Sequence, residues 1–486
     1  MPDPALPFLT ITELAARIRS GELSPVVLTE TLLARIEALD PALHAFIAVT
    51  RSRALAEARA AELALRGGQD LGPLHGIPYG VKDLYDVMGL PTTAGTRLRT
   101  GPPAGADCLA VRKLAGAGMV LVGKTHTVQF AFGGVGINHD LGTPHNPWHE
   151  VPHAPGGSSS GTGVAVAAGL VPTGLGSDTG GSVRIPAALC GVVGLKTTVG
   201  RIGRSGVYPL SWTLDSVGPL ARSVEDAALV YQVLQGVDPD DGSTAGIAPH
   251  DALRDLKAGA RGLRVAFGET VFFDDVDPEV ERAVREAGRV FRSLGAHVDA
   301  VAVPEAAAAM AEQKRVLMIA AEACAVNARY LDAHFADMDP VVATRMVAGR
   351  QLAAVDYFAV LRQWADLRER IQRTLRDVDV LLVPTCAIPP RPLAAIDASL
   401  DTYAQHNGRY LRNTAIGNTL NLCAVALPCG FTRDGLPIGL MCYAKPFQED
   451  VALRAAWAYE QATEWHTRQP DLAWAQRGRA GLTSFA

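Results

Sequence analysis

Residues 155–196 read Pro155-Gly-Gly-Ser-Ser-Ser-Gly161, a compact apolar run Val164-Ala-Val-Ala-Ala-Gly-Leu-Val171, then Gly176-Ser-Asp-Thr-Gly-Gly-Ser-Val-Arg-Ile-Pro186 and finally Gly191-Val-Val-Gly-Leu-Lys196. Glycine weakens helices and strands alike, so clusters this dense call for a reason other than regular structure. A flexible Gly-Ser linker is a poor reason, because the run between the clusters has the composition of a buried core segment. The pattern predicts two tight turns gripping a buried helix. Their effect would be to aim serine hydroxyls and free N–H groups at one point.

Outward from that stretch, strand and helix patterns alternate. Tyr79-Gly-Val-Lys-Asp-Leu-Tyr-Asp-Val87 reads as a strand with a lysine inside it, and Met119–Thr125 as a buried strand. Further strands are expected at Gly191–Lys196, Leu263–Phe267, Val378–Pro384 and Gly435–Met441. Helical spacing covers 10–22, 24–40 and 52–66, with Ser24-Pro25 placed as a helix start. It returns at 223–234 with a loose Ser-x-x-Asp capping box, at 278–294, through most of 304–376, and at 450–464. Such alternation predicts an α/β chain whose sheet is covered by helices on both faces.

The 486 residues suffice for a large core, and 48% hydrophobic with 20% charged residues is ordinary globular composition. A dispersed net charge of −5 gives no footprint for nucleic acid and no basic face for a membrane. The start lacks a basic then apolar leader pattern, and apolar runs are short. Seven scattered cysteines without a C-x-x-C pair fit reduced thiols in a cytoplasm, and no histidine spacing suggests a metal site. No cofactor is implied.

Three features carry chemistry. Lys82 lies in a strand-like apolar setting. Burial disfavours its charged form and would bring it from ~10.4 towards neutrality, where it can act as a base. The competing reading is an ordinary ion pair with Asp83 or Asp86. Ser182 closes Asp178-Thr-Gly-Gly-Ser182, where the glycines let backbone N–H groups face a substrate as an oxyanion hole. Asp178 and Arg184 flank that turn with opposite charges and could brace it. The third feature, Gly157-Ser-Ser-Ser-Gly161, satisfies the G-x-S-x-G nucleophile elbow with Ser159 at its centre. An elbow needs a strand before it, and the prolines in His149–Pro155 argue against one.

The two glycine-serine clusters, the 24-residue spacing of Ser158 and Ser182, and Lys82 in Gly76-Ile-Pro-Tyr-Gly-Val-Lys-Asp83 closely resemble the amidase signature family. The similarity extends over most of the chain, through Gly123-Lys-Thr125, Asn146-Pro-Trp148, Asp215-x-x-Gly-Pro219, Leu427-Pro-Cys-Gly-Phe431 and Gly435-Leu-Pro-Ile-Gly439. The resemblance implies a large mixed sheet in a single domain spanning 1–486. Its parts would be an N-terminal helical part (about 1–70), a catalytic core (about 71–235), a variable helical insertion (about 268–376) and a return to the sheet (about 377–465). It further implies Ser182 as nucleophile, Ser158 as bridging serine after a cis peptide, and Lys82 as terminal base. The oxyanion would sit on N–H groups of Thr179, Gly180, Gly181 and Ser182, with Ser159, Asp178 and Arg184 as supports. A homodimer is the expectation from relatives.

Relatives also place the acyl site after Gly123-Lys-Thr125, which points to Ala131, Phe132, Gly133 and Gly134 as substrate wall. The small Gly133-Gly134 pair suggests room for a bulky or planar group. The helical 304–376 segment would form the opposite wall, with Met310, Met318, Tyr330 and Phe335 as candidate liners against a plain core role. The glutaminase-type component of the tRNA-dependent amidotransferase is one alternative identity within the family. Its acidic glutamine-binding residue falls approximately at Thr414 here, and its Asp-Gly-Val-Arg segment is missing from 310–350. Both departures favour a free-standing hydrolase acting on a small or aryl-bearing, largely uncharged amide, with carbamates, ureas and esters open as substrates. A catalytically dead binding protein of the same fold is the remaining alternative.

Overall fold

The computed structural model describes residues 5–311 and 314–480. Their centre is one eleven-stranded sheet. In chain order its strands are β1 (Phe46–Val49), β2 (Pro78–Lys82), β3 (Val120–Thr125), β4 (Thr173–Asp178), β5 (Val193–Lys196) and β6 (Ser216–Ala221). The second half adds β7 (Arg264–Gly268), β8 (His297–Val301), β9 (Val380–Pro384), β10 (Cys423–Phe431) and β11 (Pro437–Ala444). Across the sheet they run β1-β3-β2-β4-β6-β5-β10-β11-β9-β7-β8. Strand β2 is parallel to β3 and β4, whereas β6, β5, β10 and β11 pair antiparallel, so the sheet is mixed.

Both faces are covered. Every residue of β2 to β6, β9 and β11 is buried, while the edge strand β8 has only exposed and half-buried positions. Along β3 the pleat sends Val120 and Val122 to one face, into a cluster with Val164, Leu33 and Ile36 from the helices Ser160–Ala167 and Pro25–Leu43. Leu121 points the other way, into the cluster of Leu114, Val230 and Leu234. The buried helix expected between the two glycine clusters is Ser160–Ala167, all of whose residues are buried.

Several boundaries differ from expectation for identifiable reasons. The strand predicted over Tyr79–Val87 stops at Lys82, whose carbonyl accepts from Leu84 N (2.7 Å) and Tyr85 N (3.1 Å) in a turn. That turn leaves Lys82 at the carboxyl end of β2, beside the carboxyl end of its parallel neighbour β4. Open α/β sheets place their sites at such strand ends. Strand β4, Thr-Gly-Leu-Gly-Ser-Asp, gave no strand signal because of its glycines. A side chain at Gly174 would come within 2.7 Å of Thr162 Cγ2, and one at Gly176 within 2.7 Å of Ser159 Oγ. The glycines let the buried helix lie directly on the strand. The short strands β1, β6 and β8 were also unread. The capping box at 223 is half formed: Ser223 Oγ accepts from Asp226 N (3.1 Å), but the Asp226 carboxylate takes Ile11 N (2.9 Å) instead of reciprocating.

All seven cysteines are buried and unpaired. Among the described residues no helix is long and apolar enough to cross a membrane, and no group of three or more His, Cys, Asp or Glu could hold a metal ion.

Candidate active site

Lys82 ends β2 fully buried, and its Nζ donates to Ser158 Oγ (2.8 Å) and Ser177 Oγ (2.9 Å). It does not pair with Asp83 or Asp86. Asp83 forms a buried ion pair with Lys124, and Asp86 accepts from Thr92 Oγ1 (2.7 Å). Burial pushes the Lys82 ammonium down to about 7, with the carboxylates of Asp215 and Asp178 opposing that fall. The amine therefore has a substantial neutral fraction near pH 7.

Ser158 follows a cis peptide from Gly157. The next residue, Ser159, donates its N–H to the Ser182 carbonyl (3.3 Å), which draws the two glycine clusters together. Ser159 Oγ accepts from Ser177 N at 3.3 Å, and the side chain is buried. A helix does follow Ser159, but no strand precedes it. An elbow nucleophile would need its hydroxyl free at the strand end, and this one is committed to the β4 backbone.

The backbone N–H groups of Thr179, Gly180, Gly181 and Ser182 donate to no partner among the described residues. Unpaired donors on a tight turn can receive a developing negative charge. Behind them lies a fully buried brace. Arg184 Nη2 and Nε reach Asp178 Oδ1 (2.9 Å) and Oδ2 (3.0 Å), Arg184 Nη1 donates to Tyr443 Oη (2.8 Å), and Asn418 Nδ2 donates to Asp178 Oδ1 (2.8 Å). Burial alone would raise the Asp178 carboxyl. The adjacent Arg184 guanidinium outweighs it and holds the group far below the usual carboxylate range. A second buried acid, Asp215, accepts Thr179 Oγ1 (2.5 Å) and the N–H groups of Leu210 and Ser211.

Gly181 has φ +142°, where L side chains are strained, and a Cβ there would overlap Thr414 Oγ1 and approach Ile185 Cδ1 to 2.6 Å. Gly181→Ala is therefore expected to displace the turn and lower kcat by about 10²–10³-fold, the usual cost of one oxyanion donor. Steady-state kinetics on a folded variant checks this, and an unchanged kcat would contradict it.

A cavity of ≈80 Å³ opens beside Ser182, with Thr179, Gly180, Ala131, Phe132 and Gly133 on one side. Leu210, Leu411 and Ala415 add apolar surface, and the helical 304–376 segment closes it with Val316, Ile319 and Arg345. Gly134 is not part of this wall: its N–H donates to Asn407 Oδ1 (2.8 Å), and a side chain there would meet Leu411 Cγ at 2.8 Å. Gly133 likewise makes room for protein, since its Cβ would meet Tyr403 Oη at 2.8 Å. The expected space for a bulky group is thus filled by Tyr403 and Leu411. Met310, Met318, Tyr330 and Phe335 line no part of the cavity. Met318 packs with Leu214, Val360 and Trp364, Tyr330 packs at a tilt on Phe130 with ring centres 5.4 Å apart, Met310 packs in the Phe272 cluster and Phe335 is exposed.

Sequence reasoning did not single out Ser177, Arg345, Asn418 or Tyr443. Ser177 had a usable signal, because it adjoins Asp178 inside the second glycine cluster. The other three lie more than 160 residues downstream of Ser182 in ordinary helix or strand patterns.

The helix Pro340–Val347, which carries Arg345, is capped by Asp339, whose Oδ1 accepts Val341 N at 3.0 Å. His139 clamps that cap, with Nδ1 2.8 Å from Asp339 Oδ2 and Nε2 3.0 Å from Asp397. The Asp339 contact is the main cause that pushes His139 up to about 9. A folded value above the ordinary ~6.5 means the clamp is fully present below about pH 6.5 and is lost as pH rises through about 9. The Tm gap between wild type and His139→Gln should therefore shrink from pH 6 to pH 10. A gap independent of pH would contradict the clamp.

Comparison with known proteins identifies the family. The family model described as Amidase matches residues 27–453. The A-type chain of the glutamyl-tRNA(Gln) amidotransferase of Chloroflexus aggregans is 38% identical over 96% of this chain and 99% of its own length. A 2-amino-5-chloromuconic acid deaminase of Comamonas testosteroni is 40% identical over 91% of this chain and 93% of its own. The structure of native peptide amidase from Stenotrophomonas maltophilia superposes with a TM-score of 0.81 at 31% identity, covering 96% of this chain and 98% of that one. With the glycine-serine clusters, the mixed sheet and these matches all spanning the same residues, the chain belongs to the amidase family.

Proposed function

We propose that the protein is a serine hydrolase that cleaves the C–N bond of a small-molecule amide, with Ser182 as nucleophile, Ser158 as bridging hydroxyl and Lys82 as terminal base. The observation that carries this reading is the dry Lys82 amine, lowered to about 7 and 2.8 Å from Ser158 Oγ. Neutral Lys82 accepts the Ser158 proton while Ser158 takes that of Ser182, whose oxygen bonds to the amide carbon. A hydroxyl suits the middle position because it donates and accepts at once. The carbonyl electrons move to oxygen, which the N–H groups of Thr179, Gly180, Gly181 and Ser182 receive. Collapse breaks the C–N bond, the proton returns along the relay to the departing nitrogen, and an acyl-enzyme remains. Water, deprotonated by the same relay, then cleaves the ester and frees the acid. Asp178, Arg184 and Ser159 hold the turn and the helix start.

Names of relatives support C–N chemistry, including a deaminase and a peptide amidase. The amidotransferase component is the second reading, favoured by 38% identity over nearly the whole chain. Against it, the approximate position of that component's acidic glutamine contact is Thr414, whose Oγ1 donates to the carbonyls of Gly180 (2.6 Å) and Leu411 (3.0 Å). A panel of small aliphatic amides, anilides, carbamates, esters and glutamine, read by release of amine, ammonia or alcohol, tests the proposal. Turnover of a small amide by the isolated chain is expected. Turnover of glutamine alone would favour the amidotransferase reading, and no hydrolysis of any member would overturn the enzyme reading.

A further inference from the structure

Beyond the catalytic turn the chain runs through the buried helix Arg184–Cys190 to Gly191, which closes it in the left-handed region at φ +69°. A second cavity, of ≈260 Å³, opens there. It shares no lining residue with the ≈80 Å³ cavity at Ser182, and the seven helical residues put ~10 Å between the two ends. Phe8, Leu9, Trp148, Val166, Ala167 and Val192 give it an apolar side. The Trp148 indole is fixed in that side, because its Nε1 donates to the Cys190 carbonyl (2.7 Å).

The rest of the wall carries charge. Arg222 donates from Nη1 to the Val171 carbonyl (3.2 Å) and from Nη2 to the Leu9 carbonyl, and each of these nitrogens keeps a second N–H. Its Nε is buried without an acceptor, and among the described residues no carboxylate stands within ion-pair distance. Asp226, four residues on, accepts Ile11 N (2.9 Å), and burial pushes its carboxyl up to about 7, so it neutralises Arg222 only in part. Arg468, exposed at the rim, lies over the Phe431 ring at 4.3 Å and has no carboxylate partner among the described residues. The His466 side chain makes no hydrogen bond among the described residues, and its Nδ1 is buried. Burial also lowers its basicity, so the neutral ring has one N–H to offer. One carboxylate, Glu13, shares the wall, with its Oε2 accepting Thr10 N and Thr10 Oγ1 (both 2.8 Å). Two guanidinium groups against one carboxylate leave the cavity positive.

A desolvated cation without a counter-ion is unfavourable, and a bound anion relieves it. Guanidinium groups meet a carboxylate through parallel N–H donors. Inorganic phosphate would answer the charge and leave Phe8, Trp148 and Val192 against water. A neutral apolar molecule would do the reverse. We propose that this cavity binds a small organic acid, with its carboxylate on Arg222, Arg468 and His466 beside it, and its apolar body against Phe8, Trp148 and Val192. The site is separate from Ser182 and does not depend on which residue attacks the substrate.

Calorimetric titration of the full chain tests it. Benzoate is compared with benzyl alcohol, which has the ring without the charge, and with inorganic phosphate, which has the charge without the ring. Benzoate is expected to bind at least about tenfold more tightly than either, an effect of the size of one charge-assisted hydrogen bond. Arg222→Met should weaken benzoate by about tenfold, and Arg222→Lys should restore part of that loss. Arg468→Met should weaken it by about threefold, and as an exposed change it keeps the test open should Arg222→Met fail to fold. Neither arginine lines the Ser182 cavity, so benzoate bound there would be indifferent to both changes. Benzoate no tighter than benzyl alcohol, phosphate as tight as benzoate, or a benzoate affinity unmoved by loss of either guanidinium would overturn the inference.

Discussion

Replacing Lys82 by methionine is expected to lower kcat/KM for an amide by about 10²–10⁴-fold, the range associated with loss of a general base, without destabilising the protein. Folding buries the amine completely and moves it from an ordinary ~10.4 to about 7. Between those values the unfolded chain binds the extra proton, so stability rises with pH across about 7 to 10.4. Methionine removes both the proton-binding site and that slope, and the variant should equal or exceed wild type in Tm at pH 7. In wild type, kcat/KM should climb as pH rises through about 7, because only the neutral amine can accept a proton. Rate profiles and melting curves on the same preparations check both halves. Activity retained near the wild-type level would remove Lys82 from the mechanism.

The second large effect concerns stability. Among the described residues, Arg184→Met leaves the Asp178 carboxylate fully buried with Asn418 Nδ2, the Val183 N–H and, at 3.5 Å, the backbone N–H of residue 184 as its remaining donors. Removing one partner of a buried pair costs about 3–5 kcal/mol, chiefly because the remaining charge is stranded. Urea unfolding should show that loss. Adding Asp178→Asn to Arg184→Met should recover part of it, since the stranded charge is then gone. A loss under about 1 kcal/mol would mean that Asp178 is held by other groups.

Much of the site was legible because its residues cluster in sequence. Ser158, Ser159, Asp178, Thr179 to Ser182 and Arg184 fall within one 27-residue stretch, and their glycine neighbours announce tight backbone. Lys82 stood out as a cation in an apolar run. The fold class followed from alternation of patterns, but β4 did not, because its glycines serve helix contact and erase strand propensity. The substrate wall was legible on one side only. Phe132 and its neighbours lie near a recognisable motif, whereas Arg345 comes from a helix whose own periodicity is that of any amphipathic surface helix. Gly133 and Gly134 misled for a physical reason: a glycine marks space for something, and here Tyr403 and Leu411 occupy that space.

The most direct test of the account is mass-spectrometric mapping of the peptide that a fluorophosphonate modifies. The predicted result is a single adduct on Ser182, absent in Ser182→Ala and much slower in Lys82→Met. An adduct on Ser159, or an equal rate of labelling without Lys82, would contradict it.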